Sequence, residues 1–565
     1  MREAENGVGR RLLCRFSVCR TVMVMNIRRI SLALAGLLSA GLYAGAQIRL
    51  GEGQVSASLE SNSVYYVDDK AIGQGPDDKF GTNNYLKVDY SLGRFSAGIQ
   101  LEGYMPALYG YELGEQPDVR KFFLAGKYVQ WTDDSFEVRA GDIYDQFGNG
   151  LIFRSYEDRQ LGLNNSLEGI RGVYRLSNYL TVKGLYGRPR LYTNYAESWI
   201  RGADLSVSIA DIFGWNAVFL NVEGSYINRY EALDKDETID FKTFYGLDTP
   251  SLNMASGRVN FNWNTLSLTG EYAWKSKDVM IGNSASATEG SAIYAEALYS
   301  WKTLSVSATY RMLDNMGTNL TLYGSGTANM MIYLPSLTRQ YTYLLANLNP
   351  YQVNTLGENA GQVDVFYSLR SSSSRQKYWN FHVNWSGAYT LRPEQTQTGK
   401  PGLMWSDVNF DIERQWSKAF KTIFLFSRQE MSSVYGYDRK PYTSDIFVAD
   451  LTWKFHRNLS LRAELQYLLC ENAESEWSSG HCEGDWVAAL VEFSVAPRWS
   501  VYVSDMYNIG MTKIHYYDGG VSYSKGRTRV QLSYGRHRAG YVCSGGVCRY
   551  SPAYTGVNLL LTTAF

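Results

Sequence analysis

Thr555-Gly556-Val557-Asn558-Leu559-Leu560-Leu561-Thr562-Thr563-Ala564-Phe565 decides the fold. Read backwards by twos, Phe565 is preceded by Thr563, Leu561, Leu559 and Val557, an apolar face broken by a single Thr. The other face is Ala564, Thr562, Leu560, Asn558 and Gly556. A strand with one oily face and one small or polar face suits a wall between lipid and water. Left as a free edge, such a strand would invite pairing with other chains. Closing the sheet removes that edge. The expected fold class is therefore all-β, a transmembrane antiparallel β-barrel.

The same period of two recurs along the chain. Phe95, Ala97, Ile99 and Leu101 alternate with Ser96, Gly98, Gln100 and Glu102. Leu459, Leu461, Ala463, Leu465, Tyr467 and Leu469 alternate with Ser460, Arg462, Glu464 and Gln466. Repeated alternation means strands with two unlike faces. A soluble sandwich reads the same locally, so the connections must discriminate. Very short ones, such as Leu92-Gly93-Arg94, Trp301-Lys302-Thr303 and Ser524-Lys525-Gly526-Arg527, alternate with long ones. Outer-membrane barrels have short periplasmic turns and long extracellular loops, and the count predicts about 24 strands beginning near Gly53. Val119–Thr132 and Asp204–Ile227 are the weakest stretches of the pattern.

The beginning of the chain agrees. Met25-Asn26-Ile27-Arg28-Arg29 is a basic start, Ser31–Leu42 is a short apolar run, and Ala44-Gly45-Ala46 is a cleavage pattern. Residues 1–46 are expected to be a secretory signal peptide with an upstream extension before Met25, and 47–565 one barrel domain. The chain holds 44 Tyr, 14 Trp and 23 Phe, an aromatic share that fits strands and interfacial girdles. Its 55 basic and 55 acidic residues balance, so nothing points to nucleic acid. Four cysteines fall in the mature chain: Cys470, Cys482, Cys543 and Cys548. An even count in an exported chain reads as disulfides, with the local pairs Cys470–Cys482 and Cys543–Cys548 favoured, both on the outer side; zinc is the rival, with His481 beside Cys482, but the spacing matches no standard zinc pattern. No cofactor and no metal site are indicated.

Only a few residues separate Gln47 from the first strand, so any occlusion of a wide lumen must come from the loops. The stretch from Gly141 to Arg159, running on to Asn164 and Asn165, is rich in glycine, aromatics and both charges. Asp142, Tyr144, Gln146, Phe147, Arg154, Glu157, Asp158 and Arg159 are candidates for a constriction element. Arg154, Glu157, Asp158 and Arg159 are expected to form an ion-pair network. A second loop, about Leu313 to Gly361, adds Arg339 and Tyr343, with a short helix expected over Thr338–Leu348, ended before Pro350. A third, Asn228–Leu252, is more charged. Lumen candidates on the strands are Lys87, Asp89, Glu102, Arg139, Asp204, Arg258, Glu271, Arg311, Asp364, Asp411, Arg462, Glu464 and Arg529. Their signs are mixed, which predicts weak ion selectivity.

The stretch from Gly141-Asp142 to Asp158-Arg159, with Leu337-Thr338-Arg339-Gln340-Tyr341-Thr342-Tyr343 and Asn349-Pro350-Tyr351, resembles a family of Bacteroidota outer-membrane barrels of unknown function. The resemblance implies the bacterial outer membrane and the barrel, and brings no substrate or catalytic residue with it. The last strand also resembles those by which barrel-assembly machinery recognises its clients. Expected partners are thus outer-membrane lipid, that machinery during insertion, and a surface protein docked on the loops. Five histidines invite a search for a Ser–His pair, but His382, His456 and His515 have no nucleophile motif beside them. The expectation is no enzyme. It is a pore or passive transporter for polar solutes, partly occluded by its own loops, or else a structural or assembly partner of other surface proteins.

Overall fold

The computed structural model describes residues 48–565 except 74, 112–120, 234–239, 281–284, 325, 372–373, 393–401, 433–441, 472–482 and 545–546. The expected signal peptide, 1–46, lies outside the described residues, as do His481 and Cys482. One antiparallel sheet of 26 strands carries the architecture. Apart from the short pieces Ile48–Leu50 and Asn194–Tyr195, it consists of 24 strands in sequential order that form a ring. The first of them, Gly53–Val67, pairs with the last, Tyr554–Ala564, from Ser58 opposite Ala564 to Val67 opposite Thr555. Phe565 prolongs this seam with two backbone bonds to Ala57, of 2.8 and 2.9 Å. Closure leaves the terminal strand no free edge.

Burial runs inside out. Along Leu459–Glu471, Leu465, Tyr467 and Leu469 are exposed, whereas the intervening Glu464 and Gln466 are buried. A water-soluble sandwich would do the reverse, because apolar area is driven out of water. Here the outward face is apolar and the charges point into the ring, as in a transmembrane barrel. Connections of a few residues, such as those at 93–94, 302–303, 457–458 and 526–527, gather at one end, and the long loops gather at the other.

Both weak stretches hold strands, Lys121–Thr132 and Val218–Tyr230. Ahead of the second lies a helix, Ile209–Phe213, which the alternation did not announce. Ser208 caps its start and Gly214, in the left-handed region at φ 66°, ends it.

The wall is not a backbone ladder everywhere. Lys121–Thr132 pairs with its neighbour Phe136–Ile143 only from Tyr128 to Thr132. The chain leaves the wall at Ile143 and rejoins it at Leu167, which lies opposite Ile143 in the next pair. Side chains seal the notch above. The Arg190 guanidinium donates to the Ala125 carbonyl, and the Lys127 backbone N–H donates to the Asp142 carboxylate at 2.8 Å. Ser166 and Tyr195 hydroxyls donate to the same carboxylate at 3.1 and 2.8 Å. Lys127 and Glu168 pair across the notch at 2.6 Å. Arg190 is 2% exposed, so Arg190→Ala leaves the Ala125 carbonyl unmet. The expected loss is roughly 1.5–3 kcal/mol, the range for hydrogen bonds to charged groups. Urea titration of the folded barrel, followed by its gel mobility, would read this, and an unshifted midpoint would show that the notch is sealed by other means.

Candidate functional site: loops folded into the ring

The loop 144–166 turns inward from the notch. Phe147, Leu151, Ile152 and Phe153 are fully buried and pack on the inner sides of Ile200, Ile227 and Met254. Gly148 sits at φ 55°, and a Cβ there would collide with Arg258 and Glu271 of the wall. Glycine is needed both for the backbone and for the approach. Beside it, Asn149 donates from its backbone and from its side chain to Glu271, each at 2.9 Å. At the far side of the loop, Arg159 reaches Glu60 of the first strand at 2.8 Å and Glu157 at 3.0 Å, with its guanidinium 4.7 Å from the Tyr85 ring. Burial alone would lower the Arg159 guanidinium, but the Glu157 and Glu60 carboxylates more than offset it and hold it above its ordinary value.

The other candidate residues of this loop divide by role. Asp145, absent from the sequence-derived set, pairs with Arg171 and Lys183 at 2.5 and 2.8 Å. Gln146 is exposed and accepts from Lys183 through its carbonyl at 3.1 Å. Tyr144 donates to Asn164 at 3.1 Å. Asp158 accepts the backbone N–H groups of Gln160 and Leu161 at 2.9 and 3.1 Å, fixing a turn. Arg154 donates to the Tyr333 carbonyl at 3.0 Å and lies 4.5 Å from the Tyr156 ring. The expected four-residue network therefore reduces, within the loop, to the pair Arg159–Glu157. Arg154 instead ties the first loop to the second, and Asp158 is spent on local backbone. Asp142 belongs to the wall, as the acceptor that closes the notch.

The second loop, 315–356, crosses the other half of the ring. Its root is Arg311, fully buried, which donates to the Pro335 carbonyl at 2.6 Å and to Glu358 at 2.8 Å. Arg339 meets Asn409 at 2.8 Å and Asp411 at 2.5 Å. Tyr341 donates to Asp407 at 2.7 Å, Tyr343 to Asp450 at 3.5 Å, and the Leu345 N–H to Gln466 at 2.9 Å. Burial pushes the Tyr341 and Tyr343 hydroxyls well above the ordinary phenol range. The helix expected over Thr338–Leu348 is reduced to a single 3-10 turn, Leu345–Asn347. The backbone here finds partners in the wall, such as Gln466 and Gln429, instead of in its own carbonyls one turn back. The third loop packs on the second. Buried Glu231 accepts from Thr321 Oγ1 at 2.5 Å and from the Leu322 N–H at 2.7 Å.

The first two loops meet. Phe147, Leu151, Ile152 and Phe153 share one buried apolar cluster with Met316, Leu320, Met331, Ile332 and Leu334. Over them folds the hairpin Gly540–Ser544 and Val547–Ser551, closed by the disulfide Cys543–Cys548. Its Val547 packs on Leu161, Leu163 and Tyr333. Cys470 is also disulfide-bonded, and Cys482, the partner expected for it, lies outside the described residues. Both positions fall at the long-loop end.

Of the strand candidates, Asp204, Arg258 and Glu271 converge, with Arg258 2.8 Å from Asp204 and 3.6 Å from Glu271. Asp364 and Asp411 hold His382 between them at 2.7 and 3.1 Å. Arg462 pairs with Glu464 at 2.7 Å, and Lys87 with Asp89 at 3.7 Å. Glu102 accepts from Tyr104 at 2.9 Å, Arg139 donates to the Asp142 carbonyl at 2.8 Å, and Arg529 donates to Gln531 at 2.9 Å. Sequence reasoning missed Glu60, Glu358, Asp407, Asn409 and Asp450. Asp407 and Asn409 had a signal, since they precede Asp411 by four and two residues on one strand and share its face.

Among curated proteins, none matches this sequence. Among solved structures, the chain is similar to the P pilus usher translocation pore PapC, with a TM-score of 0.45, 10% identity, and 90% of this chain and 99% of that one covered. It is similar to the siderophore receptor PirA of Pseudomonas aeruginosa (TM-score 0.41, 9% identity, 90% and 80% covered). A third is OccAB3 of Acinetobacter baumannii (TM-score 0.36, 10% identity, 91% and 100% covered). A family model matches residues 24–565, and the chain belongs to that family, a family of unknown function, DUF6029.

Proposed function

We propose that the protein spans the bacterial outer membrane, in a member of the Bacteroidota, with its short turns in the periplasm, and passes small polar solutes through a lumen narrowed by its own loops. The observation that carries this reading is the shared cluster of Phe147, Leu151 and Phe153 with Met331, Ile332 and Leu334. Two loops rooted eight strands apart in the 24-strand ring are held together by apolar burial and held to the wall by paired charges. That is the construction a wide barrel requires if it is to remain selective, because lumen width grows with strand number. Its partners are membrane lipid and, during insertion, the assembly machinery. The wall charges occur as pairs of both signs, so selectivity between ions is weak. No catalytic role is proposed for His382, which is occupied by Asp364 and Asp411.

Conductance in planar bilayers tests the reading. The intact protein is expected to give small, weakly selective channels. The pair Arg154→Ala and Arg159→Ala is expected to give larger and noisier ones, because it cuts the tie to Tyr333 and the tie to Glu60. Closed barrels in both cases would replace the pore with a structural role, in which the long-loop surface docks another surface protein.

A further inference from the structure

The short-turn end is charged unevenly around the ring. From Lys302 to the C-terminus, its described connections carry Lys302, Lys418, Arg457, Arg498 and Arg527, one in each, and no acid. All five are exposed, and none pairs with a carboxylate among the described residues. The connections of the other half hold Asp133, Asp134 and Asp211 against Arg94, which lies 3.6 Å from Asp133. Within the basic arc, Arg414 sits on the outward side of its strand, in line with exposed Val408 and Phe410. Its guanidinium is 4.3 Å from the Trp379 ring and 5.1 Å from the Trp416 ring. Trp416 is itself fixed by donating from Nε1 to Thr422 at 3.0 Å. Such rings attract a cation without neutralising it. Arg414 Nε is buried against them, but the two terminal nitrogens are not, and no carboxylate meets them among the described residues. Lys377, exposed and two residues before Trp379, carries the positive face on toward the turns.

We propose that this arc binds anionic phospholipid of the periplasmic leaflet, with one lipid phosphate seated on Arg414, and the inference rests on the reading that the short turns face the periplasm. Charge selects the ligand class. Unpaired basic side chains at a membrane surface attract anionic headgroups, each adding roughly five-fold in affinity. A guanidinium offers a planar fork of donors that matches phosphate oxygens. Tryptophan belongs at the headgroup level, where one end of the ring meets hydrocarbon and the other meets water. Trp379 and Trp416 therefore place Arg414 at the depth of a lipid phosphate and hold it there. Position selects the source. A partner arriving through the water meets the turns, whereas Arg414 lies on the face that lipid covers. The acyl chains of the same molecule then run along exposed Val408 and Phe410. Arg94 has its counter-charge in Asp133, so the opposite half of the rim lacks the attraction.

The test is native mass spectrometry of the full-length protein in a neutral detergent, titrated in turn with phosphatidylglycerol, phosphatidylethanolamine, glycerol 3-phosphate and an oligoglutamate peptide. Retention of phosphatidylglycerol in preference to phosphatidylethanolamine is expected. Arg414→Gln keeps most of the side chain, removes a charge that no carboxylate uses, and should weaken retention by roughly five-fold, the share of one basic side chain. The pair Arg457→Gln and Arg498→Gln, both at exposed turns, should lower it again, while Arg94→Gln should leave it unchanged. Equal retention of the two lipids overturns the proposal, and so does a preference that Arg414→Gln leaves intact. Binding of glycerol 3-phosphate as tight as that of the lipid replaces the lipid with a free anion. Displacement of the lipid by oligoglutamate replaces it with an acidic protein partner. Retention is read without any conductance measurement. A protein that retains the anionic lipid but never conducts loses the pore and keeps the site, and one that conducts without lipid preference loses the site alone.

Discussion

Replacing residues 144–166 by Asn-Gly should convert a narrowed barrel into an open one. The wall tolerates the change because Ile143 and Leu167 already face each other across an antiparallel pair. Two residues of this kind form the tight turn that joins such strands. What is lost is the half of the plug that carries Phe147, Leu151, Ile152 and Phe153. Met316, Leu320, Met331, Ile332 and Leu334 then lose their apolar partners, so the second loop loosens as well. Single-channel conductance should rise by roughly ten-fold, on the argument that an unplugged ring of this strand number encloses a wide aqueous lumen. Cells carrying the variant should become sensitive to antibiotics normally too large to enter. The notch-sealing groups Asp142 and Arg190 lie outside the replaced segment, and the barrel should still migrate as a folded species. A folded variant with the conductance of the parent would show that loop 144–166 does not limit passage, and would remove it from the mechanism.

How far the molecule could be read from its residues depends on the range of the interaction. The strands were legible because alternation is local: Leu465, Tyr467 and Leu469 against Glu464 and Gln466 need no knowledge of neighbours. Strand number followed from the regular succession of short and long connections. The inward loop was marked by composition, since glycines, aromatics and both charges in one segment suit burial against a charged wall. Its partners were hidden. Arg159 lies 99 residues from Glu60, and Asn149 lies 122 residues from Glu271. Only closure of the ring brings these together. The second loop was misread for the opposite reason. Thr338–Leu348 has local helical character, but Leu345 and Ala346 bond to Gln466 and Gln429, and the tertiary partners override propensity. Residues that follow parity alone, such as Asp407 and Asn409, could have been found by extending the face of Asp411.

The largest single-residue effect is expected at Arg258, a side chain in the wall that no loop contains. Arg258 is 4% exposed and serves three carboxylates. It lies 2.6 Å from Glu223, 2.8 Å from Asp204 and 3.6 Å from Glu271, and it donates to the Ser225 hydroxyl at 2.8 Å. Glu271 is buried completely, so its charge depends on this guanidinium and on Asn149. Arg258→Leu fills much of the space and leaves three acids facing one another. Removing one partner from a buried ionic group typically costs about 3–5 kcal/mol, because the remaining charge stays buried. Lysine should not rescue the site, since one ammonium cannot span the positions that the planar guanidinium bridges. Combining Arg258→Leu with Glu223→Gln and Glu271→Gln should recover much of the loss by removing two of the three stranded charges and leaving Asp204 alone. The amide at 271 also keeps an acceptor for Asn149. Urea unfolding followed by gel mobility would give the order: parent, triple variant, single variant. The single variant should also show noisier channels, because Gly148 and Asn149 rest on this cluster. Equal stability of the parent and the single variant would mean that the acids take up protons at little cost, and the lumen wall would then owe its rigidity to the backbone ladder alone.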